Sequence, residues 1–287
     1  MNNPAYDMPG TQSQAINGAD PIQVRQACDG AGVIFLCLNA HYVDWYELFP
    51  LRLEVTMETA AATGAKLVYH DNVYMYGQSD KAYTEDMPTS DQTRKGKLRG
   101  EMAKRVLDAH QAGDIRAVIG RSADMYGPGA LNSSFNSTLG QRHFYPLLDG
   151  KSVSVLGDID LPHTYADVDD VARGLITLAE NDDALGQAWH IPAAPTLSQR
   201  ELMTSAFEEA GLPPKIRGSK VSGYFVRVIG RFQPDVGEVS EMLYQFEKPL
   251  LVSHQKFEKA YGTSPTPHQE ALRQTLEWYR RNPLSGG

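Results

Sequence analysis

Apolar positions along the chain fall into runs that suit buried strands and spacings that suit packed helices. Asp20 and Pro21 have the chemistry of an N-cap and a first helical residue, which predicts a helix over Pro21 to Ala27. Val33 to Leu38 is an unbroken apolar run, the pattern of a strand buried on both faces. Leu48, Leu51, Leu53, Val55, Met57 and Ala60 predict a long helix from Trp45 to Ala62, kinked early at Pro50 and ended by Gly64. Lys66 to Tyr69 starts a second strand, Gly100 to Gln111 a helix closed by Gly113, and Arg116 to Ile119 a third strand. Such alternation implies right-handed crossovers and a parallel sheet, an α/β fold.

The punctuation changes after Tyr126. Gly, Pro, Asn and Ser crowd the stretch to Phe144, which predicts a loop leading into a short helix. Val153 to Leu156 and Ala188 to Ile191 have the composition of strands, and Asp167 to Glu180 that of a helix. Ser198, with Glu201 three residues on, forms a capping box that opens a helix to Ala210. An amphipathic helix is expected near Gln269 to Tyr279.

Composition narrows the function classes. A formal net charge of −8 and the absence of a basic block argue against nucleic acid or an anionic membrane as partner. Met1 to Gln14 lacks the apolar core of a secretory signal, and no apolar stretch is long enough for a bilayer. Cys28 and Cys37 are the only cysteines and lack metal-ligand spacing, so no metal is expected and a reducing, cytoplasmic setting fits.

Five segments, in order, carry a family resemblance. They are Gly30 to Asn39, Lys66 to Gly77 with its Tyr-Gly turn, and Thr84 to Pro88. The loop Arg121 to Gly129, containing Tyr-Gly-Pro-Gly, and the segment Thr164 to Ala172 follow. In this order they resemble the extended short-chain dehydrogenase/reductase family of the NAD-dependent epimerase/dehydratase type. The resemblance implies a Rossmann-like parallel sheet, N-terminally incomplete and spanning 1–150. It also implies a smaller C-terminal α+β, mainly substrate-binding portion over 151–287, with segments returning to the sheet.

The same resemblance implies NAD or NADP as cofactor, held by a strand, a Gly-x-x-Gly-x-x-Gly turn and a helix N-terminus. No such spacing occurs before Val33: Gly30 and Gly32 precede a strand instead of following one. In register, Ile16 and Asn17 resemble the end of the family's third strand. Two earlier βα units are therefore expected ahead of Met1, in a longer protein or replaced in a natural short form. A short form would present a strand edge, which dimerisation or residues 1–15 would cover. The positions that the resemblance leaves for the cofactor are Asn17, Cys37, Asn39 and Arg121.

The family uses a Tyr-x-x-x-Lys pair and a Ser or Thr at a strand end. Here the Ser/Thr position is Asn72, whose amide can still donate to a carbonyl or oxyanion. The pair falls on Gly96 and Gly100 or, one residue earlier, on Lys95 and Arg99, which would share a helix face toward one pocket, or form a solvated basic face. A phenol could come instead from Tyr74, Tyr76 or Tyr126, although Tyr76 also suits packing within the turn. Strand alternation would put His70, Asn72 and Tyr74 on one face, with Tyr69 and Asp71 on the other. These departures resemble an atypical subgroup of the family.

On the substrate side, His163 stands where nucleotide-sugar enzymes usually carry an arginine. Tyr126, residues 128–135 and the Tyr224 to Val226 region are expected near a moderately apolar pocket. The expected reaction is NAD(P)-dependent epimerase, dehydratase or reductase chemistry on a small carbonyl or hydroxyl compound, sugar-like included. The alternative is a degenerate cofactor-free homologue that binds a ligand or partner, or a non-redox lyase or isomerase.

Overall fold

The alternation read in the sequence produces the elements in the expected order. The computed structural model describes residues 10–37, 40, 42–130, 139–219 and 241–284. The chain runs α1 (Pro21–Ala27), β1 (Val33–Leu36), α2 (Trp45–Thr63), β2 (Lys66–Asp71), α3 (Arg94–Gln111) and β3 (Arg116–Arg121). Next come β4 (Asp124–Tyr126), α4 (Gln141–Leu148), β5 (Val153–Leu156), β6 (Pro162–His163), β7 (Tyr165–Asp167) and α5 (Val168–Glu180). The remainder is β8 (Ala188–His190), β9 (Leu197–Ser198), α6 (Gln199–Glu209), β10 (Ile216–Ser219), α7 (Gln255–Tyr261) and α8 (His268–Arg281).

The main sheet is parallel, with strand order β1-β2-β3-β8. On one face, Ile34, Leu36, Leu67, Tyr69, Ala117 and Ile119 pack with Phe49, Leu53, Met57, Met102 and Val106 of α2 and α3. On the other, Val68 and Val118 pack with Val171, Leu175 and Leu178 of α5 and Phe257 of α7. Gly120 is required there, because a Cβ would lie 2.5 Å from the Leu175 side chain. A third core joins Tyr126, Phe144, Leu147, Val153 and Tyr165 to α6 and α8.

Three boundaries differ from the expectation. The first strand is half-buried: Ile34 and Leu36 face the core, while Phe35 is 44% exposed because α5, which covers that face of the sheet, packs against β2 and β3. Helix α3 begins six residues earlier than predicted, since Thr93 caps it by accepting from the Gly96 amide at 2.9 Å. Its glycines let the helix approach the 74–76 turn: a Cβ on Gly96 would meet the Tyr74 carbonyl oxygen at 2.6 Å. Strand β2 ends at Asp71, so Tyr74 and Tyr76 lie in a short 3₁₀ turn (Tyr74–Tyr76) rather than on a strand. Among the described residues, no helix is long and apolar enough to cross a membrane.

Candidate active site

The C-terminal end of β2 carries Asp71, whose carboxylate is fully buried and shared by two arginines. Arg99 of α3 meets one oxygen at 2.7 Å, and Arg121 at the end of β3 lies 3.4 Å from the other. Arg121 also donates to the Tyr76 phenol oxygen at 2.6 Å. His190 at the end of β8 donates through Nδ1 to the Ser253 carbonyl at 2.7 Å, which leaves Nε2 to accept from the Tyr76 hydroxyl at 2.8 Å. The Glu85 carboxylate accepts from the His190 backbone N–H at 2.8 Å. A continuous polar chain, Arg99–Asp71–Arg121–Tyr76–His190, therefore crosses the C-terminal ends of three neighbouring strands.

Burial pushes the Tyr76 phenol up to about 12, against the opposing pull of Arg121. Burial holds the His190 imidazole down at about 4, so it is neutral across the physiological range. On the α5 side of β2, His70 lies 2.9 Å from the Ser122 hydroxyl, and burial with the Arg99 charge holds it at about 4.

This arrangement places several of the expected residues. Arg121, expected at the cofactor, is buried and spans Asp71 and Tyr76. Tyr76 is buried within the same chain of hydrogen bonds and stacks on Tyr83 at 5.2 Å. Lys95 and Arg99 do not share a pocket or a solvated basic face. Both are buried; the Lys95 ammonium pairs with Glu241 at 3.2 Å, whereas Arg99 pairs with Asp71. Tyr74 does not share a face with His70 and Asn72: the chain turns after Asp71, and its ring stacks on Trp45 at 6.1 Å, on the α2 side.

Asn72 is half-buried immediately beyond β2. Its Oδ1 accepts from the Tyr74 amide at 3.0 Å, which fixes the side chain. Among the described residues its Nδ2 has no hydrogen-bond partner. A held amide with a free donor at a strand end can polarise a carbonyl or stabilise an oxyanion.

The substrate-side residues are both internal. Tyr126 donates to His268 Nδ1 at 2.9 Å, and His268 Nε2 meets the Pro195 carbonyl at 2.9 Å. His163 Nε2 lies 2.8 Å from the Asp124 carboxylate, and the imidazole is sandwiched between Tyr165 and Phe246 with centroids 4.5 and 6.0 Å away. His163 is thus engaged in a short, buried pair with Asp124. Of the cofactor positions, Asn17 sits in an exposed turn and accepts from the Ala19 amide at 3.0 Å. Cys37 is exposed at the end of β1. Asn39 lies outside the described residues, as do Tyr224 to Val226 and residues 131–135 of the expected pocket wall.

The family resemblance is borne out. Residues 49–191 match the model of the NAD dependent epimerase/dehydratase family. The chain belongs to this family. No curated protein sequence matches it. DesIV, the dTDP-glucose 4,6-dehydratase of Streptomyces venezuelae with NAD and TYD bound, is 18% identical, with a TM-score of 0.72 over 93% of this chain and 78% of that one. UDP-glucuronic acid 4-epimerase from Bacillus cereus, solved with UDP-glucuronic acid and NAD, is 15% identical, with a TM-score of 0.70 over 91% and 80%. An epimerase from Methanothermobacter thermautotrophicus is 18% identical, with a TM-score of 0.74 over 93% and 77%. At these identities the likeness is one of fold, a Rossmann-like α/β sheet.

The described residues of this family member do not by themselves fit a complete dinucleotide. The N-terminal amides of α1, at Ile22 and Gln23, are taken by the Asp20 carboxylate. Helix α2 opens with Asp44 and Glu47, which repel a pyrophosphate. No strand, glycine turn and helix follow one another as a phosphate cradle among the described residues.

Four buried or half-buried acidic residues were not singled out as site residues from the sequence: Asp71, Asp124 and Glu241, which pair with site cations, and Asp167. Asp167 is the most unusual. It is buried at the end of β7; among the described residues neither carboxylate oxygen makes a hydrogen bond of good geometry, and the Asp170 backbone amide and the Arg173 charge offset its burial only in part. Burial, then Asp169 and Asp170, push it up to about 6. Its position beside Gly127 needs a residue without a side chain there, since a Cβ would lie 2.8 Å from Asp167 Oδ1 at a φ of 143°.

Proposed function

We propose that this chain forms the substrate-facing part of an NAD(P)-dependent epimerase, dehydratase or reductase acting on a small carbonyl or hydroxyl compound, sugar-like molecules included. The observation that carries the reading is Asn72. Its amide is oriented by the Tyr74 backbone and keeps a free donor at the end of the central strand β2, where a substrate oxygen would be polarised. The rigid chain from Arg99 to His190 holds the strand ends and the 74–76 turn in register. The family and the NAD held by solved relatives support the dinucleotide, whose pyrophosphate would need groups beyond the described residues.

Titration of the chain with NADH and NADPH, followed by nicotinamide fluorescence, tests the reading. Saturable, stoichiometric binding of either is expected, with Asn72→Ala leaving that binding within about twofold. The variant should lower turnover of a reducible carbonyl substrate about a hundredfold, the scale of losing one oxyanion donor. Absence of dinucleotide binding would favour the cofactor-free alternative, a ligand-binding or lyase-type homologue.

A further inference from the structure

A cavity of about 340 Å³ lies just beyond the C-terminal end of β8, between α5 and the segment joining α7 to α8, and Asn72 is not among its lining residues. Asp170, Arg173 and Thr177 line one wall, Thr263 and Ser264 the other, and Ile176, Pro192 and Pro265 give it an apolar floor. This volume lies at the lower end of what small-molecule sites use.

The hydrogen-bond accounting inside it is one-sided. The acceptors of Asp170 are occupied: one oxygen takes Arg173 and the Thr266 hydroxyl, and the other takes the Thr266 amide at 2.8 Å. Arg173 spends Nη2 on Asp170 and Thr266, and its Nε and Nη1 have no partner among the described residues. Its side chain is 59% exposed. The Thr263 hydroxyl is buried from solvent and makes no hydrogen bond. The unspent Arg173 N–H groups only donate and the Thr263 hydroxyl can donate, and an unsatisfied buried hydroxyl is costly unless something meets it. Beside them, Ile176 remains 48% exposed, an apolar surface with nothing on it.

We infer that this cavity binds a small organic anion, its carboxylate or phosphate on Arg173 and Thr263 and its flat or branched apolar body against Ile176, Pro192 and Pro265. Arginine suits such a head group because its planar fork presents two parallel donors. The site is separate from Asn72 and does not rest on the proposed reaction.

Calorimetry with benzoate, phenyl phosphate, inorganic phosphate and benzyl alcohol on the whole chain tests the inference. Benzoate or phenyl phosphate should bind saturably, and the stronger of the two identifies the head group. Inorganic phosphate and benzyl alcohol should each be at least tenfold weaker than that anion. Arg173→Gln should weaken the aromatic anion at least tenfold, and the near-isosteric Thr263→Val about threefold or more, with no loss of cooperative unfolding in the latter. Equal binding of benzyl alcohol would overturn the anion anchor, and equal binding of inorganic phosphate the apolar seat. No binding of either aromatic anion, or binding indifferent to both variants, would overturn the site itself.

Discussion

Arg121 Nη1 donates to the Tyr76 phenol oxygen over 2.6 Å, and this bond makes the Tyr76 hydroxyl a fixed donor toward His190 Nε2. The hydroxyl is thus the link that joins the arginine–aspartate pair at the ends of β2 and β3 to the histidine at the end of β8. Tyr76→Phe keeps the ring on Tyr83 but strands a guanidinium N–H and an imidazole nitrogen in a buried setting. The expected cost is about 1–3 kcal/mol. Urea unfolding of the two proteins measures it, and a difference below experimental error would mean that the bonds contribute no net stability.

Asp71 carries a heavier duty, because it is the acceptor for two buried guanidinium groups. Asp71→Asn leaves both cations in place with the compensating charge gone, which should destabilise the fold by about 3–5 kcal/mol. By contrast, Lys97→Ala removes a largely exposed partner of Glu101 and should cost less than about 0.5 kcal/mol. Thermal unfolding of the pair separates a buried charge cluster from an ordinary surface ion pair.

The architecture was legible because the signals that define it are local. The apolar runs at Leu67–Tyr69 and Ala117–Ile119 announce strands, and Ser198 with Glu201 forms the anticipated capping box, Oγ accepting from the Glu201 amide at 3.2 Å. The exposure of Phe35 was not legible, since a strand's sequence cannot tell how far the helix on that face extends over it. The site was read less well for the same physical reason. Tyr76 meets His190 across 114 positions, and Arg99 meets Asp71 across 28. Which carboxylate neutralises which cation is decided by strand order and helix seating, so Lys95 and Arg99 appeared as one pair when each has its own acid.

Burial holds three histidines, His70, His143 and His190, at about 4, well below the ordinary imidazole value of 6.5. A depressed folded pKa means stability that is complete above the unfolded value and lost as the pH falls toward the folded one. Unfolding must therefore become easier between pH 6.5 and about 4. Each histidine contributes a slope of up to about 1.4 kcal/mol per pH unit within that window. Denaturant midpoints measured across that range should fall steeply. His70→Asn should flatten the fall by removing one titrating group, and an unchanged slope would mean that His70 is already protonated in the folded protein.

Asp167 acts in the opposite sense over an overlapping window. Its folded pKa is raised to about 6 from an ordinary 3.8, first by burial and then by Asp169 and Asp170. A raised folded pKa contributes stability that is complete below the unfolded value and is lost as the pH rises through the folded one. At neutral pH the fold thus carries a buried carboxylate whose charge the Asp170 backbone amide and Arg173 offset only in part. Asp167→Asn keeps the shape and removes the charge. It should stabilise the protein by on the order of 1 kcal/mol at pH 7.5, with the gain shrinking as the pH falls from 6 and vanishing near pH 4. Chemical denaturation of both proteins at pH 4, 6 and 7.5 tests this. A variant less stable than the parent at pH 7.5 would show that the Asp167 negative charge is compensated in the folded state.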